Sequence, residues 1–332
     1  MDPSQTVLVV GAGISGVACA QALTARGVPV AVADRGRRIG GRMAVRTRDG
    51  RPADIGASYF TVSDPRFGEV VDGWAARGLA RPWTDRFAAW SPAEPQLVDS
   101  AGPMRWAAPG GLRSLVEDLA RGLSIEARTV AGVGPASPAV GPAAPGAGPG
   151  LLVDGTAWRA AVLAMPDPQA ARLLDPALAA DAAALDQTYD PVLALTAAWP
   201  TREWADVDGV FVNDDPDLSW IADDGRRRGD GAPVLVAHST AALAAAHLAE
   251  PEAAAPALLA ALRRVLGLAA APAWTSMQRW TFAKPAGTRE AAFHLSPAGL
   301  GFCGDGWSTR PRVEAAYLSG LELGHALADH LT

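Results

Sequence analysis

Lysine is nearly absent from this 332-residue chain: Lys284 stands alone, and the other basic side chains are arginines. With the abundant alanine, proline and glycine, that skew reads as composition bias and carries no function. Cysteine is scarce too. Cys19 and Cys303 lie far apart with no C-x-x-C spacing, which excludes a disulfide framework and a thiolate metal site and points to a reducing, cytoplasmic setting. The 5 histidines are scattered, and His325 and His330 do not share a helix face, so no metal is expected. Positive charge is in deficit. A net charge of -6 argues against nucleic acid or an anionic membrane as partner. Residues 7–25 lack charge altogether, yet Met1-Asp2-Pro3 is no basic leader, and Gly11, Gly13 and Gly16 suit no spanning helix. Fixed-period repeats are missing. What remains, 49% hydrophobic and 19% charged residues, describes a soluble globular protein with room for two domains.

The first thirty-odd residues carry a dinucleotide-binding pattern. Residues 6–10, Thr-Val-Leu-Val-Val, form a β-branched run of the kind buried on both faces of a parallel sheet. Gly11-Ala12-Gly13-Ile14-Ser15-Gly16 then gives G-x-G-x-x-G, followed by a helical stretch at 17–26 that Gly27 stops. A second strand over 28–33 ends in Asp34, near the offset at which an acid meets an adenosine ribose, about 20 residues on. The glycines serve a sharp turn, close approach to a diphosphate, and helix–sheet packing, while the helix N-terminus supplies N–H donors. Alone the glycine pattern is weak. In this strand–turn–helix–strand–acid setting it is strong.

Gly40-Gly41-Arg42 follows the second strand, and this G-G-R resembles the segment after the fingerprint in the flavin-dependent amine oxidase superfamily. Near the C-terminus, "GFCGDGW" (301–307) is similar to that superfamily's late strand ending in Gly-Asp, with Arg312-Val313 opening an amphipathic helix. The wording narrows further. "GGRMAVRTRDGRPADIGASYFTVSDPRF", "APGGLRSLVEDLA", "GVFVNDDPDLSWIADD" and "QRWTFAKP" each resemble, in order, segments of the renalase-like branch.

That resemblance implies an α/β fold: a Rossmann-like FAD-binding domain of p-hydroxybenzoate hydroxylase-like topology, with an interleaved mixed-sheet substrate domain. It implies non-covalent FAD held by Gly11, Gly13, Ile14, Ser15, Gly16, Asp34, Arg35, Gly41, Arg42, Met43, Gly56, Ala57, Ser58, Val130, Gly304, Asp305, Arg312 and Val313. Asp305 would bind the ribityl chain. Gly56 and Ala57 would be small because backbone packs on the isoalloxazine, with Tyr59 and Phe60 walling the ring or the substrate pocket. The activity implied is oxidation of the 2- and 6-dihydro isomers of NAD(P) to NAD(P)+, with O2 reduced to H2O2. Catalytic duty falls to Tyr59, Arg279, Trp280 and Trp307. On a strand, Gln278, Trp280 and Phe282 would share a face, and Arg279 would assist with the substrate's phosphates or carboxamide, a structural ion pair being the alternative.

The alternatives are a small-amine oxidase using Lys284, and a flavin-binding protein without turnover. The chain departs from the branch at Ser58 (glutamine there), Gln278 (histidine), Lys284 (arginine) and Ala315 (glycine). Flavin-binding segments are expected at 1–72, 105–166 and 296–332, and substrate-domain segments at 73–104 and 167–295. Residues 134–150, rich in proline, glycine and alanine, read as a hairpin excursion. The partners expected are a small-molecule substrate and O2, with a monomer favoured.

Overall fold

The computed structural model describes residues 2–136 and 150–332. The chain passes repeatedly between two compact units, Met1–Gly41, Val116–Thr188 and Pro285–Thr332 forming one, Arg42–Leu115 and Tyr189–Lys284 the other. These boundaries differ from the expected 72, 104, 166 and 295, for electrostatic reasons. Asp54 is buried against Arg228, which ties the segment after residue 41 to the second unit. Asp167, fully buried, accepts from Gln187 N and from Arg289, which keeps 167–188 and 285–295 with the first.

The first unit is built on a six-stranded sheet in the order His294–Leu295, Leu300–Phe302, Ala160–Leu163, Val7–Val10, Val30–Asp34, Ile125–Ala127. Only the edge pair His294–Leu295 with Leu300–Phe302 is antiparallel. Val7–Val10 sits inside the sheet and is buried throughout, as its unbroken apolar run requires. The helix Ile14–Ala25 starts earlier than the sequence suggests because Gly13 already serves as its N-cap.

It packs on the C-terminal helix Val313–Leu331 at backbone distance. A Cβ added at Gly320 would lie 1.9 Å from Ser15 O, and one at Gly324 2.7 Å from Cys19 O. Close approach of the two helices therefore depends on glycine one turn apart. Val133–Pro135, Leu151–Val153 and Thr156–Trp158 make a small antiparallel sheet. The excursion read at 134–150 lies, over 137–149, outside the described residues.

The second unit has a seven-stranded sheet, in the order Trp274–Pro285, Tyr189–Ala198, Val234–Ser239, Leu218–Asp223, Gly209–Val212, Arg81–Trp90, Val98–Ala107. Period-two alternation sorts its side chains. Leu195, Ala237, Ile221, Val210 and Ala88 share one hydrophobic core with Leu258, Leu262 and Val265 of the helix Ala255–Leu266. Their neighbours point to the opposite face. There Ala194, His238, Trp220 and Phe211 fall in a row across four strands. The hairpin Val45–Arg48 and Arg51–Asp54 turns at Asp49-Gly50, with φ of 51° and 79°.

Candidate active site

In the first unit, the sharp turn after Val7–Val10 needs glycine twice for reasons internal to the protein. Gly11 has φ 110°, and a Cβ there would meet Ala164 O at 2.5 Å; one at Gly16 would lie 1.9 Å from Gly11 O. Gly13 is different. Its backbone is extended (φ -76°, ψ 175°), and an added Cβ would meet only Gly41 Cα, at an ordinary 3.9 Å. Nothing in the protein requires its side chain to be missing, so the turn is shaped for a group from outside.

Gly40 N donates to Ala12 O at 2.9 Å, laying the Gly40-Gly41 turn over the first one. Asp34 accepts from Ala12 N at 2.7 Å and from Gly36 N at 2.6 Å. Each oxygen keeps a lone pair for a ribose hydroxyl. The helix start at Ile14–Ala25 has no side-chain cap, leaving its N–H dipoles aimed at an anion.

At the C-terminal end, Gly304 has φ 151° with nothing within 4 Å of an added Cβ, and its N–H donates to Ser319 Oγ at 3.0 Å. Asp305 follows, half-buried, and Arg312 stands at the N-cap of Val313–Leu331 with no side-chain cap on the helix N–H groups, its guanidinium paired with Glu314 in the first turn. Two open glycine cradles, a ribose-type acid and two uncapped helix starts fit a dinucleotide diphosphate such as that of FAD. Arg35 is exposed and Val130 buried. Burial pushes the Cys303 thiol up to about 12, so it is no thiolate for covalent attachment. Trp307 is buried in this unit's core, 4.1 Å under Arg289 and beside Phe302.

In the second unit, several expectations are corrected. Gly56 and Ala57 are small because of protein backbone. A Cβ at Gly56 would lie 2.0 Å from Arg42 O and 3.3 Å from Trp280 Cζ2, and Ala57 N donates to Arg42 O at 2.9 Å. Arg42 itself donates to Ala283 O, and Met43 is buried. Ser58 is buried, its hydroxyl accepting from Trp220 Nε1 at 3.0 Å and its carbonyl from Arg227, so both oxygens tether the loop within this unit. Phe60 is core, packed on Phe67, Trp74 and Trp106.

Tyr59 is half-buried among Phe87, Trp220 and Trp83. Along Trp274–Pro285, Gln278, Trp280 and Phe282 alternate with exposed Arg279 and Thr281. Trp280 Nε1 donates to Ile55 O at 2.6 Å, which fixes the ring plane. Arg279 therefore points away from Trp280, where it donates to Leu248 O at 2.7 Å. Gln278 is held by Arg46 at 2.9 Å.

Residues 84–323 match the family described as flavin containing amine oxidoreductase, and residues 9–74 match the NAD(P)-binding Rossmann-like domain. The chain belongs to the flavin containing amine oxidoreductases. These are oxidoreductases that work with FAD. Protoporphyrinogen oxidase 2 of Arabidopsis thaliana is 39% identical over 66 residues, 20% of this chain and 13% of that protein. Hydroxyneurosporene desaturase of Rubrivivax gelatinosus is 45% identical over 63 residues, 18% and 12% of the two lengths. The chain thus matches only about an eighth of the length of these curated relatives.

Whole-chain likeness comes from solved structures. The solved structure of a putative protoporphyrinogen oxidase from Exiguobacterium sp. 255-15 superposes with a TM-score of 0.74 at 13% identity, covering 99% of both chains. Cyclohexylamine oxidase from Brevibacterium oxydans gives 0.72 at 15%, covering 99% and 100%. At such identities the likeness shows the fold: a Rossmann-like dinucleotide domain with mixed α/β sheets.

Sequence reasoning missed the residues that this fold gathers on the second unit's inner sheet face. His238 and Thr196 lie on paired neighbouring strands, two residues apart in register and on one face, and both His238 Nε2 and Thr196 Oγ1 are buried without hydrogen-bond partners. Burial, then the charges of Lys284 and Arg227, hold the His238 imidazole down to about 3, so it is neutral at any working pH. Neither residue sits in a motif; only cross-strand register, invisible in the sequence, lines them up.

Joined to Trp220 through Ser58 is a buried ion cluster. Asp224 takes Arg51, Arg227 and Arg228, while Asp54 takes Arg228 at 2.9 Å and Leu112 N at 2.7 Å. Although burial opposes it, the arginine charges bring Asp224 down to about 2. Asp54, with burial dominant, is raised. The aspartate of "ADIGASYF" is thus the anchor that ties the loop to the helix Asp224–Arg228 and to Leu112 N. Among the described residues no His, Cys, Asp and Glu group is arranged for a metal, and no helix is long and apolar enough to cross a membrane.

Proposed function

We propose that the protein oxidises the 2- and 6-dihydro isomers of NAD(P), in the manner of the renalase-like branch. The reaction, dihydro isomer plus O2 plus H+ giving NAD(P)+ plus H2O2, balances in atoms and electrons. The observation that carries this reading is the polarity of the sheet face beside Tyr59 and Trp220. Its buried unpartnered side-chain atoms are Thr196 Oγ1, His238 Nε2 and Arg105 Nη1, with no carboxylate among them. Among the described residues none of these buried atoms offers a protonated amine a negative charge, whereas an uncharged dihydropyridine ring needs only flat apolar walls and hydrogen-bond partners.

FAD, when bound, supplies the hydride acceptor and the route to O2. The chain binds, orients and excludes water: Trp280, its plane fixed by Ile55 O, is the stacking candidate, and neutral His238 suits a carboxamide. A dihydropyridine already donates hydride, so no general base is required.

A second reading, a small-amine oxidase, is favoured by Lys284. Desolvation pushes its ammonium below the ordinary value even though much of its side chain is exposed. Anaerobic mixing separates the two. Bleaching of the flavin by a dihydronicotinamide isomer, with peroxide on readmitting O2, supports the first; bleaching only by primary amines replaces it with the second.

A further inference from the structure

Buried arginines in the second unit are paired, with one exception. Arg227 and Arg228 share Asp224 and Asp54. Arg105, on the edge strand Val98–Ala107, is as deeply buried at 7% exposure, yet among the described residues no acid pairs with it and its Nη1 has no hydrogen-bond partner. Its guanidinium lies 4.2 Å over the Phe87 ring. An added Cβ at Gly102 would meet Nη2, Cζ and Nη1 at 2.7, 3.2 and 3.3 Å, so glycine makes its room.

The ring contact offsets part of the desolvation of this cation but satisfies none of its donors. A guanidinium donates in its plane, in a fork that matches an oxyanion. Around it, Tyr59 and Trp83 are half-buried and Phe211 is 40% exposed, so the ring basin reaches the surface.

We infer that Arg105, with the Tyr59–Trp83–Phe87 basin, is an anion subsite that takes the phosphate or carboxylate of the substrate. The inference rests on the reading that this sheet face receives substrate. It gives Arg105 the duty that the sequence assigned to Arg279, which lies on the other face.

The test uses FAD-saturated protein, so that the cofactor's diphosphate site is filled, with inorganic pyrophosphate and acetate as probes. Anion binding is read from tryptophan fluorescence and melting temperature. Pyrophosphate or acetate should bind the parent saturably, at least tenfold more weakly to Arg105→Gln, and with intermediate affinity to Arg105→Lys. The stronger probe tells phosphate from carboxylate. Equal affinity in parent and Arg105→Gln, or no saturable binding to the parent, overturns the subsite. If Arg105→Gln does not fold, Arg105→Lys decides: weakening of threefold or more supports the fork, and unchanged affinity overturns it. The oxidation reading fails separately. Flavin that no dihydronicotinamide isomer bleaches, with anion binding intact, leaves the subsite standing for another anionic substrate.

Discussion

Gly13 and Gly56 look alike in the sequence, each a small residue where backbone is expected to meet the cofactor, yet the two regions use them differently. At Gly13 the backbone is extended and an added Cβ would make only an ordinary contact with Gly41 Cα, so a methyl would fit the protein and the glycine serves the ligand. At Gly56 a Cβ would strike Arg42 O at 2.0 Å, so the glycine serves the fold. A turn that carries its own binding geometry is legible locally. A loop whose shape is dictated by a distant strand and a buried ion cluster is not.

The largest effect should come from Gly56→Ala. The new methyl must displace backbone, and overpacking of that kind costs about 1–3 kcal/mol or more. A melting temperature lowered in both apo- and FAD-loaded protein is the expected result. An unchanged melt with weakened FAD would return Gly56 to the cofactor. Gly13→Ala should do the reverse, with apo stability lowered by no more than the loss of a favourable N-cap residue, about 1 kcal/mol. FAD affinity should fall at least tenfold, about 1.4 kcal/mol, read by flavin retention on dilution. If Gly13→Ala melts the apoprotein instead, the distinction between the two regions collapses.

The second region also has a pH signature. His238 has an ordinary value of 6.5 and a folded one of about 3. Below pH 6.5 the unfolded chain binds a proton that the fold refuses, so this contribution is whole above 6.5 and is lost as pH falls towards 3. Its slope is at most about 1.4 kcal/mol per pH unit. His238→Gln should flatten the fall in stability between pH 6.5 and 4, measured by urea unfolding. A slope equal to the parent's would mean that the imidazole is protonated in the fold.

Much of the first unit can be read from its residues because strand, turn, helix and acid are consecutive, and Gly11, Gly16 and Asp34 act within that stretch. The Gly304-Asp305 turn is legible by the same logic, with Gly304 at φ 151°. The second unit resists such reading. Ser58 is set by Trp220 and Arg227, Asp54 by Arg228, and Thr196 and His238 by strand register, all across separations that no local pattern encodes. Arg105 could have been noticed only as a lone basic residue in an otherwise exposed strand, which is no signal at all.

The smallest effect expected is that of Arg279→Ala, and it tests the strand's sidedness. Adjacent residues of Trp274–Pro285 face opposite ways, and Arg279 is exposed while Trp280 is half-buried and bonded to Ile55 O. The hydrogen bond that the Arg279 side chain makes, to Leu248 O, is exposed to solvent. Water replaces such a bond with little loss, so stability should stay within about 0.5 kcal/mol. The rate of anaerobic flavin reduction and KM should both remain within about twofold of the parent, because no substrate group is reached from that side. Trp280→Ala is the matching control and should slow reduction through lost stacking of about 1 kcal/mol and misorientation. A tenfold rise in KM for Arg279→Ala would show that the outer face of the strand meets substrate, and the assignment of the inner face, with Arg105 on it, would have to be reversed.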